Sequence, residues 1–160
     1  MVAVFNFGGQ YAHLIARRVR ELGVKSELVN PNISPEDLKN TSPDAIIFSG
    51  SPFSVYDKAA PLINPKIFKL KIPILGICYG LQLITHQLGG KIVAHKTKQF
   101  GKENVTIYKS PLFKNLTKQE SVWFSHGDRV EKLPKGFEII ASTKNVKIAG
   151  IQNIKDNIFA

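Results

Sequence analysis

The chain has 160 residues, 43% of them hydrophobic, which suits one globular domain containing a sheet covered on both faces. Its net charge of +10 raises the question of nucleic-acid binding, but the basic residues are spread from Arg17 to Lys155 without a stripe of interleaved aromatic residues, so we expect no nucleic-acid partner. A single cysteine excludes an internal disulfide framework, and no apolar stretch approaches membrane-spanning length, so we expect a reduced, cytoplasmic protein without a membrane partner.

The first half of the chain alternates short apolar runs with helical patterns. Runs rich in Val, Ile and Phe predict strands at residues 2–7, 26–29, 45–49 and 72–75. Strands that alternate with helices in this way are typical of a parallel sheet, because parallel strands need helical crossover connections.

Two helices are marked between these strands. The first starts near Tyr11 and presents an apolar face, which leaves Arg17 and Arg18 facing solvent or a partner. The apolar positions of that face are Ala12, Ile15, Val19 and Leu22. The second is short, with Ser34 as its N-cap and Pro35 at its first position.

After Gly90 the pattern changes to short strands separated by turns. We predict strands at residues 105–108, 121–124, 137–141 and 148–152. The expected fold is α/β: an open, mostly parallel sheet with helices on both faces and an antiparallel extension. We see no linker or internal repeat, so residues 1–160 are interpreted as one domain.

The most informative segment places the only cysteine, Cys78, between Gly76 and Gly80. The segment follows the predicted strand at 72–75, and a helical pattern follows it, so Cys78 lies on a tight strand-to-helix turn. Such a turn exposes its central side chain, and the N-terminus of the helix favours a thiolate there, so Cys78 is a candidate nucleophile. The alternative is a buried structural cysteine, since free cysteine is among the most buried residue types.

Two other loops follow predicted strands. The glycine pair in Gly8-Gly9-Gln10-Tyr11 is a weak signal, more typical of a tight turn. In Ser49-Gly50-Ser51-Pro52, the backbone N–H groups of Gly50 and Ser51 are placed to form an oxyanion hole with the N–H of Tyr79. No Gly-x-x-x-x-Gly-Lys-Ser/Thr or Gly-x-Gly-x-x-Gly pattern occurs, so nucleotide binding by these loops is poorly supported.

Five segments together resemble class I glutamine amidotransferases and, within that family, the glutaminase domains of GMP synthases. The resemblance spans the whole chain and rests on residues 5–11, 15–21, 48–56, 76–82 and 122–128. It implies a flavodoxin-like fold and hydrolysis of glutamine to glutamate and ammonia through a Cys78 thioester. It also implies substrate-binding roles for Gln82, Ser125 and His126.

The resemblance further implies a partner for this domain. Ammonia would pass to an ATP-pyrophosphatase domain or subunit that aminates XMP to GMP, and ATP and Mg²⁺ would bind only there. We expect no cofactor and no metal in the 160 residues, whose sequence lacks the Ser-Gly-Gly-x-Asp-Ser phosphate loop of the synthetase.

Two departures from the family pattern bear on activity. The Gln-Phe-His-Pro-Glu segment, which supplies the family's catalytic His and Glu, does not occur in the sequence, and we interpret the domain as C-terminally truncated near Ala160. Loss of a triad member costs about 10⁴ to 10⁶ in rate in comparable hydrolases, so we expect low activity from the 160 residues. Ser51 replaces a family glycine, which raises the question of whether the oxyanion hole is correctly set.

The other histidines are weak candidates for a replacement base. His13 and His86 fall in helical patterns and His95 follows a predicted strand, while His126 lies in a polar turn-forming segment. The alternatives left open are an inactive glutamine-binding, regulatory or docking module and another class I amidotransferase. Because truncation leaves a sheet edge uncovered, we also expect self-association through that edge.

Overall fold

This computed structural model describes residues 1–94, 101–124 and 127–160. The helices are α1 Ala12–Glu21, α2 Pro35–Asn40 and α3 Tyr79–Gln87, with 3₁₀ turns at Pro65–Leu70 and Pro111–Phe113. The strands are β1 Val2–Phe5, β2 Ser26–Val29, β3 Ala45–Phe48, β4 Ile74–Gly76, β5 Lys91–Ile107, β6 Gln119–Lys132, β7 Glu138–Thr143, β8 Gly150–Asn153 and β9 Ile158–Phe159. None of the helices in the described part is long and apolar enough to cross a bilayer.

Within the described chain, all of these strands join one sheet in the order β2-β1-β3-β4-β9-β8-β7-β5-β6. The pairs from β2 through β9 are parallel, and those from β9 through β6 are antiparallel. The predicted α/β fold, a parallel core with an antiparallel extension, is therefore confirmed.

Strand β9 lies where the two halves of the sheet meet. Ile158 pairs with Ile74 of β4 on one side and with Asn153 of β8 on the other. The sequence did not predict this strand, because two residues are too few to show a period-2 pattern.

The antiparallel strands differ most from their predictions. Strand β5 has 17 residues and β6 has 14, where the sequence predicted strands at 105–108 and 121–124 only. The two pair with each other over most of their length, with irregular register near Lys91 and after Ala94. Polar residues such as Lys, Glu and Gln are frequent in both strands without strict alternation, and such stretches lack the apolar signal on which strand prediction depends.

Helix α1 buries small residues and exposes its charges. Ala12 and Ala16 are buried, whereas Arg17 and Arg18 are exposed and both pair with Glu21. The exposure predicted for the two arginines is confirmed. The prediction that Leu22 belongs to the buried face is wrong, because the helix ends at Glu21 and Leu22 is 83% exposed.

Helix α2 has the predicted start. The Asp37 backbone N–H donates to Ser34 Oγ at 3.0 Å, and Pro35 follows the cap. This arrangement satisfies an N-terminal donor that would otherwise have no intrahelical partner.

An aromatic cluster forms the part of the core beneath the carboxyl ends of β1, β3 and β4. The rings of Phe5 and Phe48 meet edge to face at 5.1 Å, and Phe7 lies 5.4 Å from Tyr79. All four side chains are at most 2% exposed. Burying a phenylalanine stabilises a fold by roughly 1.5–3 kcal/mol, so this cluster firmly supports the loops that leave these three strands.

Candidate active site

The loops that follow β1, β3 and β4 converge on one cavity of about 680 Å³. Its lining includes Gly9, Ser51, Cys78 and, one residue after β9, Ala160. These positions lie together because parallel strands end at the same sheet edge, where open α/β sheets bind their ligands. Strand β6 also contributes to the lining of this cavity, with Trp123 among other residues.

Cys78 occupies the strand-to-helix turn between β4 and α3. Its backbone has φ 55° and ψ −106°, a left-handed conformation that a residue with a Cβ adopts only under strain. The side chain is exposed to the cavity. The predicted strand-to-helix turn at Cys78 is confirmed, and the interpretation of Cys78 as a buried cysteine is wrong.

The two glycines around Cys78 are required by close packing. A Cβ at Gly76 would lie 2.7 Å from the Gly80 carbonyl carbon, and a Cβ at Gly80 would lie 2.5 Å from the Phe48 carbonyl oxygen. Any larger residue at either position would therefore push helix α3 away from β3 and β4. The glycines fix the height of Cys78 above the sheet.

The pKa of the Cys78 thiol is raised above its ordinary value. Protein atoms around the sulfur partly desolvate it although it opens to the cavity, and this is the largest cause. The Tyr79 backbone N–H acts in the opposite direction, and the negative charge of Asp128 adds to the rise. The start of α3 therefore acts in the direction that the sequence predicted, but burial of the sulfur and the charge of Asp128 outweigh it.

The predicted oxyanion loop lies beside Cys78. Gly50, Ser51 and Cys78 all line the cavity, and a Cβ on Gly50 would lie 3.8 Å from the Cβ of Cys78. A Cβ on Gly9 would lie 2.3 Å from the Gly50 carbonyl oxygen, so the glycine pair after β1 permits close loop packing and is more than a generic turn.

Ser51 fits its position without a left-handed backbone, since it is not among the residues with positive φ. Its hydroxyl donates to the Phe7 carbonyl oxygen at 2.9 Å and accepts the Phe53 backbone N–H at 3.3 Å. The concern that a side chain here distorts the loop is not supported. Ser51 instead ties the loop after β3 to the end of the β1 region.

Tyr79 holds the start of α3 in the core. Its side chain is fully buried, and its hydroxyl donates to the Pro61 carbonyl oxygen at 3.0 Å. Burial, with a smaller effect of Asp57, raises the pKa of Tyr79 to about 12. The phenol is therefore neutral and structural, while the Tyr79 backbone N–H lies beside the sulfur of Cys78.

Gln82 is one helical turn after Cys78, and it is mostly buried in the cavity wall. Its backbone N–H donates to the Cys78 carbonyl oxygen at 3.3 Å. The predicted substrate-binding residue thus lies at the cavity, whereas Ser125 and His126 lie outside the described residues, as does His95. His13 is exposed on α1 and His86 contacts the ring of Tyr56, and neither lines the cavity.

Sequence reasoning did not single out Asp128 and Trp123 as site residues. Asp128 is half-buried, while Trp123 is 80% exposed, and both line the cavity from β6. Both belong to the segment at 122–128 that carried the family resemblance, which was the available signal. The sequence did not indicate that these two residues lie at the cavity, because β6 reaches it as part of the antiparallel extension.

Comparison with known proteins shows a family match along nearly the whole chain. The model of the family "Glutamine amidotransferase class-I" matches residues 3–160. A GMP synthase (glutamine-hydrolysing) of Aquifex aeolicus is 49% identical over 159 residues, or 99% of this chain. One of Lactobacillus acidophilus is 50% identical over 154 residues, or 95% of this chain. The chain spans only 31% and 30% of the lengths of these two relatives.

Solved structures agree with the fold. A candidate GMP synthase subunit from Thermoplasma acidophilum has a TM-score of 0.84 and 28% identity, over 99% of this chain and 80% of that one. A glutamine amidotransferase from Thermotoga maritima has a TM-score of 0.75 at 17% identity, over 99% of this chain and 72% of that one. The second likeness concerns the fold alone.

Proposed function

The chain belongs to the class I glutamine amidotransferases, and we propose that it hydrolyses the side-chain amide of glutamine and supplies ammonia for GMP synthesis. The observation that carries the proposal is the strained turn that exposes Cys78 at a cavity, beside the backbone N–H groups of Tyr79 and of the loop at Gly50 and Ser51. This arrangement suits acyl transfer, which needs a nucleophile near the carbonyl carbon and hydrogen-bond donors near the carbonyl oxygen of the same group.

In the proposed reaction, Cys78 Sγ attacks the amide carbon of glutamine. The carbonyl oxygen becomes an oxyanion, which accepts hydrogen bonds from the N–H of Tyr79 and from the Gly50–Ser51 loop. The C–N bond breaks after the nitrogen gains a proton, ammonia leaves, and a thioester remains on Cys78. Water then attacks the thioester, releases glutamate and restores the thiol.

The cavity walls offer polar groups for the amino-acid end of the substrate. Gln82 has an amide that both donates and accepts hydrogen bonds, and Asp128 supplies a half-buried carboxylate. A carboxylate in a partly desolvated wall suits an ammonium group, so we assign the α-ammonium group of glutamine to Asp128. Ser125 and His126 keep the substrate-binding roles implied by the resemblance.

The described lining of the cavity supplies no histidine as a general base. Of the described histidines, neither His13 nor His86 lines the cavity, and no Gln-Phe-His-Pro-Glu segment occurs among the 160 residues. We therefore propose that rapid turnover depends on a histidine and a glutamate from such a segment, with His126 as the alternative base.

A synthetase partner follows from the proposed role. The curated relatives are about three times as long as this chain, which leaves room in them for a domain that consumes ammonia. We propose that the partner is an ATP-pyrophosphatase domain or subunit that binds ATP and Mg²⁺ and aminates XMP. A measurement of GMP formation from XMP and glutamine, with and without such a partner, tests this part.

Labelling with a diazoketone analogue of glutamine tests the proposed site without requiring full turnover. The reagent places its ketone carbon where the amide carbon of glutamine would lie and its alkylating carbon where the amide nitrogen would lie, so intact-mass analysis should show one adduct, located on Cys78. Excess L-glutamine should protect, and Cys78→Ala should give no adduct. A folded chain that remains unlabelled, or that is labelled equally in Cys78→Ala, would contradict the proposal.

Ammonia release from glutamine then separates an enzyme from an inactive module. We expect slow release by the 160 residues and none by Cys78→Ala. Specific labelling without any ammonia release would favour the alternative of a glutamine-binding or docking module. If His126→Ala abolishes slow release while the labelling persists, His126 acts as the base.

A further inference from the structure

Asp128 and Cys78 line the same cavity. Cys78 is presented by the turn before α3, and Asp128 comes from β6 of the antiparallel extension. Asp128 is half-buried, and Val130, which lies two residues further along β6, is buried in the core. Residues two apart on a strand share a face, so the buried Val130 anchors the same face of β6 that carries Asp128.

The negative charge of Asp128 acts against a negative charge on the sulfur of Cys78. A like charge in a partly desolvated site disfavours the ionised form of its neighbour, and the thiolate is the form that attacks carbonyl carbons. The other described titratable side chains lining the cavity are Tyr11 and Arg129, both exposed. The Tyr79 phenol is directed elsewhere, toward Pro61.

We propose that Asp128 couples the nucleophilicity of Cys78 to occupancy of the cavity: its carboxylate adds to the effect of burial in disfavouring the thiolate in the empty site, and the substrate's ammonium group cancels the contribution of Asp128 on binding. The inference rests on the proposed function, because it takes the occupant to be an α-amino acid. Binding brings a positive charge against Asp128, so the thiolate becomes easier to form at the moment when an amide carbon lies above it.

Such coupling protects a cysteine that is exposed to solvent. Thiolates oxidise more readily than thiols, so a sulfur that stays protonated until substrate arrives is less susceptible to oxidation in the empty site. The same device discriminates between substrates, because an amide that lacks an ammonium group would occupy the cavity without activating the nucleophile.

The composition of the chain allows a direct test. Cys78 is the only cysteine, so [3-¹³C]cysteine labelling gives a single resonance whose chemical shift separates thiol from thiolate during a pH titration. Asp128→Asn should lower the midpoint by about 1 pH unit, the lower end of the effect of a nearby charge. The matched control is Glu131→Gln, on the same strand, because Glu131 pairs with Lys91 and does not line the cavity. Its midpoint should equal that of the parent.

Two ligands extend the test to the unaltered protein. L-Norleucine carries the ammonium group of glutamine but no amide, and should lower the midpoint in the parent and not in Asp128→Asn. Glutaramate carries the amide but no ammonium group, and should leave the midpoint unchanged. Fluorescence of Trp123, the only tryptophan and a cavity residue, reports whether each ligand binds.

The outcomes distinguish the inference from the proposed function. Equal midpoints in the parent and Asp128→Asn, or a norleucine effect that persists in Asp128→Asn, would overturn the coupling while glutamine-protected labelling of Cys78 still supported a glutaminase site. Failure of norleucine to bind would also overturn the coupling, because the ammonium–carboxylate pair would not hold an occupant. Absence of both ligand binding and labelling would overturn both proposals.

Discussion

Replacement of Gly80 by alanine tests whether close packing of α3 on β3 sets the position of the nucleophile. Helix propensity alone predicts a gain, since alanine is favoured over glycine by up to about 1 kcal/mol inside a helix. The structure predicts the opposite, because the new Cβ would lie 2.5 Å from the Phe48 carbonyl oxygen and 2.8 Å from the Phe48 Cβ.

The magnitude follows from what the new methyl group meets. Overpacking a core typically costs about 1–3 kcal/mol, and the upper end of about 3 kcal/mol applies because backbone atoms cannot move aside as a flexible side chain can. Subtracting the propensity gain leaves a net loss of about 2 kcal/mol in the free energy of unfolding. For a chain of this length, that loss lowers the Tm by about 4–8 °C.

Thermal and urea unfolding followed by circular dichroism measure the effect. Gly89→Ala is the matched control, because Gly89 has φ 86° with no atom near its would-be Cβ, so only the left-handed backbone is penalised, by about 1–2 kcal/mol. Gly80→Ala should also slow labelling of Cys78 by the diazoketone, and Gly89→Ala should not. A Gly80→Ala protein at least as stable as the parent would refute the packing argument.

Three further predictions concern other parts of the fold. Tyr79→Phe leaves the Pro61 carbonyl oxygen without its donor and should lower the free energy of unfolding by about 1 kcal/mol. In the parent, the stability that depends on the neutral phenol is fully present below about pH 10 and is lost as the pH rises through about 12. Unchanged urea unfolding and an unchanged absorbance titration in Tyr79→Phe would contradict this prediction. Lys71 lowers the pKa of Asp156, so Lys71→Met should raise that pKa toward its ordinary value in a carboxyl NMR titration, and an unmoved titration would count against the ion pair. If the protein self-associates through a sheet edge, its sedimentation coefficient should rise with protein concentration. The rise should be smaller in Trp123→Lys, because β6 is an edge strand and Trp123 is exposed on it. A sedimentation coefficient of a monomer at all concentrations would exclude self-association.

Much of the parallel core could be predicted from the sequence, because the signals there are local. A buried parallel strand reads as a continuous apolar run, as residues 45–49 do, and a capped helix is marked by consecutive residues such as Ser34 and Pro35. The turn at Cys78 is equally local, since five consecutive residues specify both the strained nucleophile and the glycines that admit it.

The antiparallel extension could not be predicted in the same way. Strands β5 and β6 pair with each other with an irregular register. Among the described residues of β5, the ones that pair with β7 are Val105, Thr106 and Ile107. Much of the β5–β6 pair therefore has little apolar surface to bury, and its sequence shows no strict alternation of apolar and polar residues. The two-residue β9 was missed for a different reason, since its place in the sheet depends on neighbours 84 and 5 positions away in the chain at Ile74 and Asn153.

The cavity lining likewise combines a part that the local sequence specifies with a part that depends on residues distant in the chain. The position of Cys78 is set by the residues next to it in the chain. Asp128 lies 50 residues later in the sequence and reaches the cavity because β6 belongs to the antiparallel extension. Reasoning from the local turn alone predicts an activated thiolate, because it counts the helix N-terminus and omits the distant carboxylate and the protein that surrounds the sulfur. Since both of these raise the pKa of Cys78, the reactivity of the nucleophile is a property of the assembled cavity and of what occupies it.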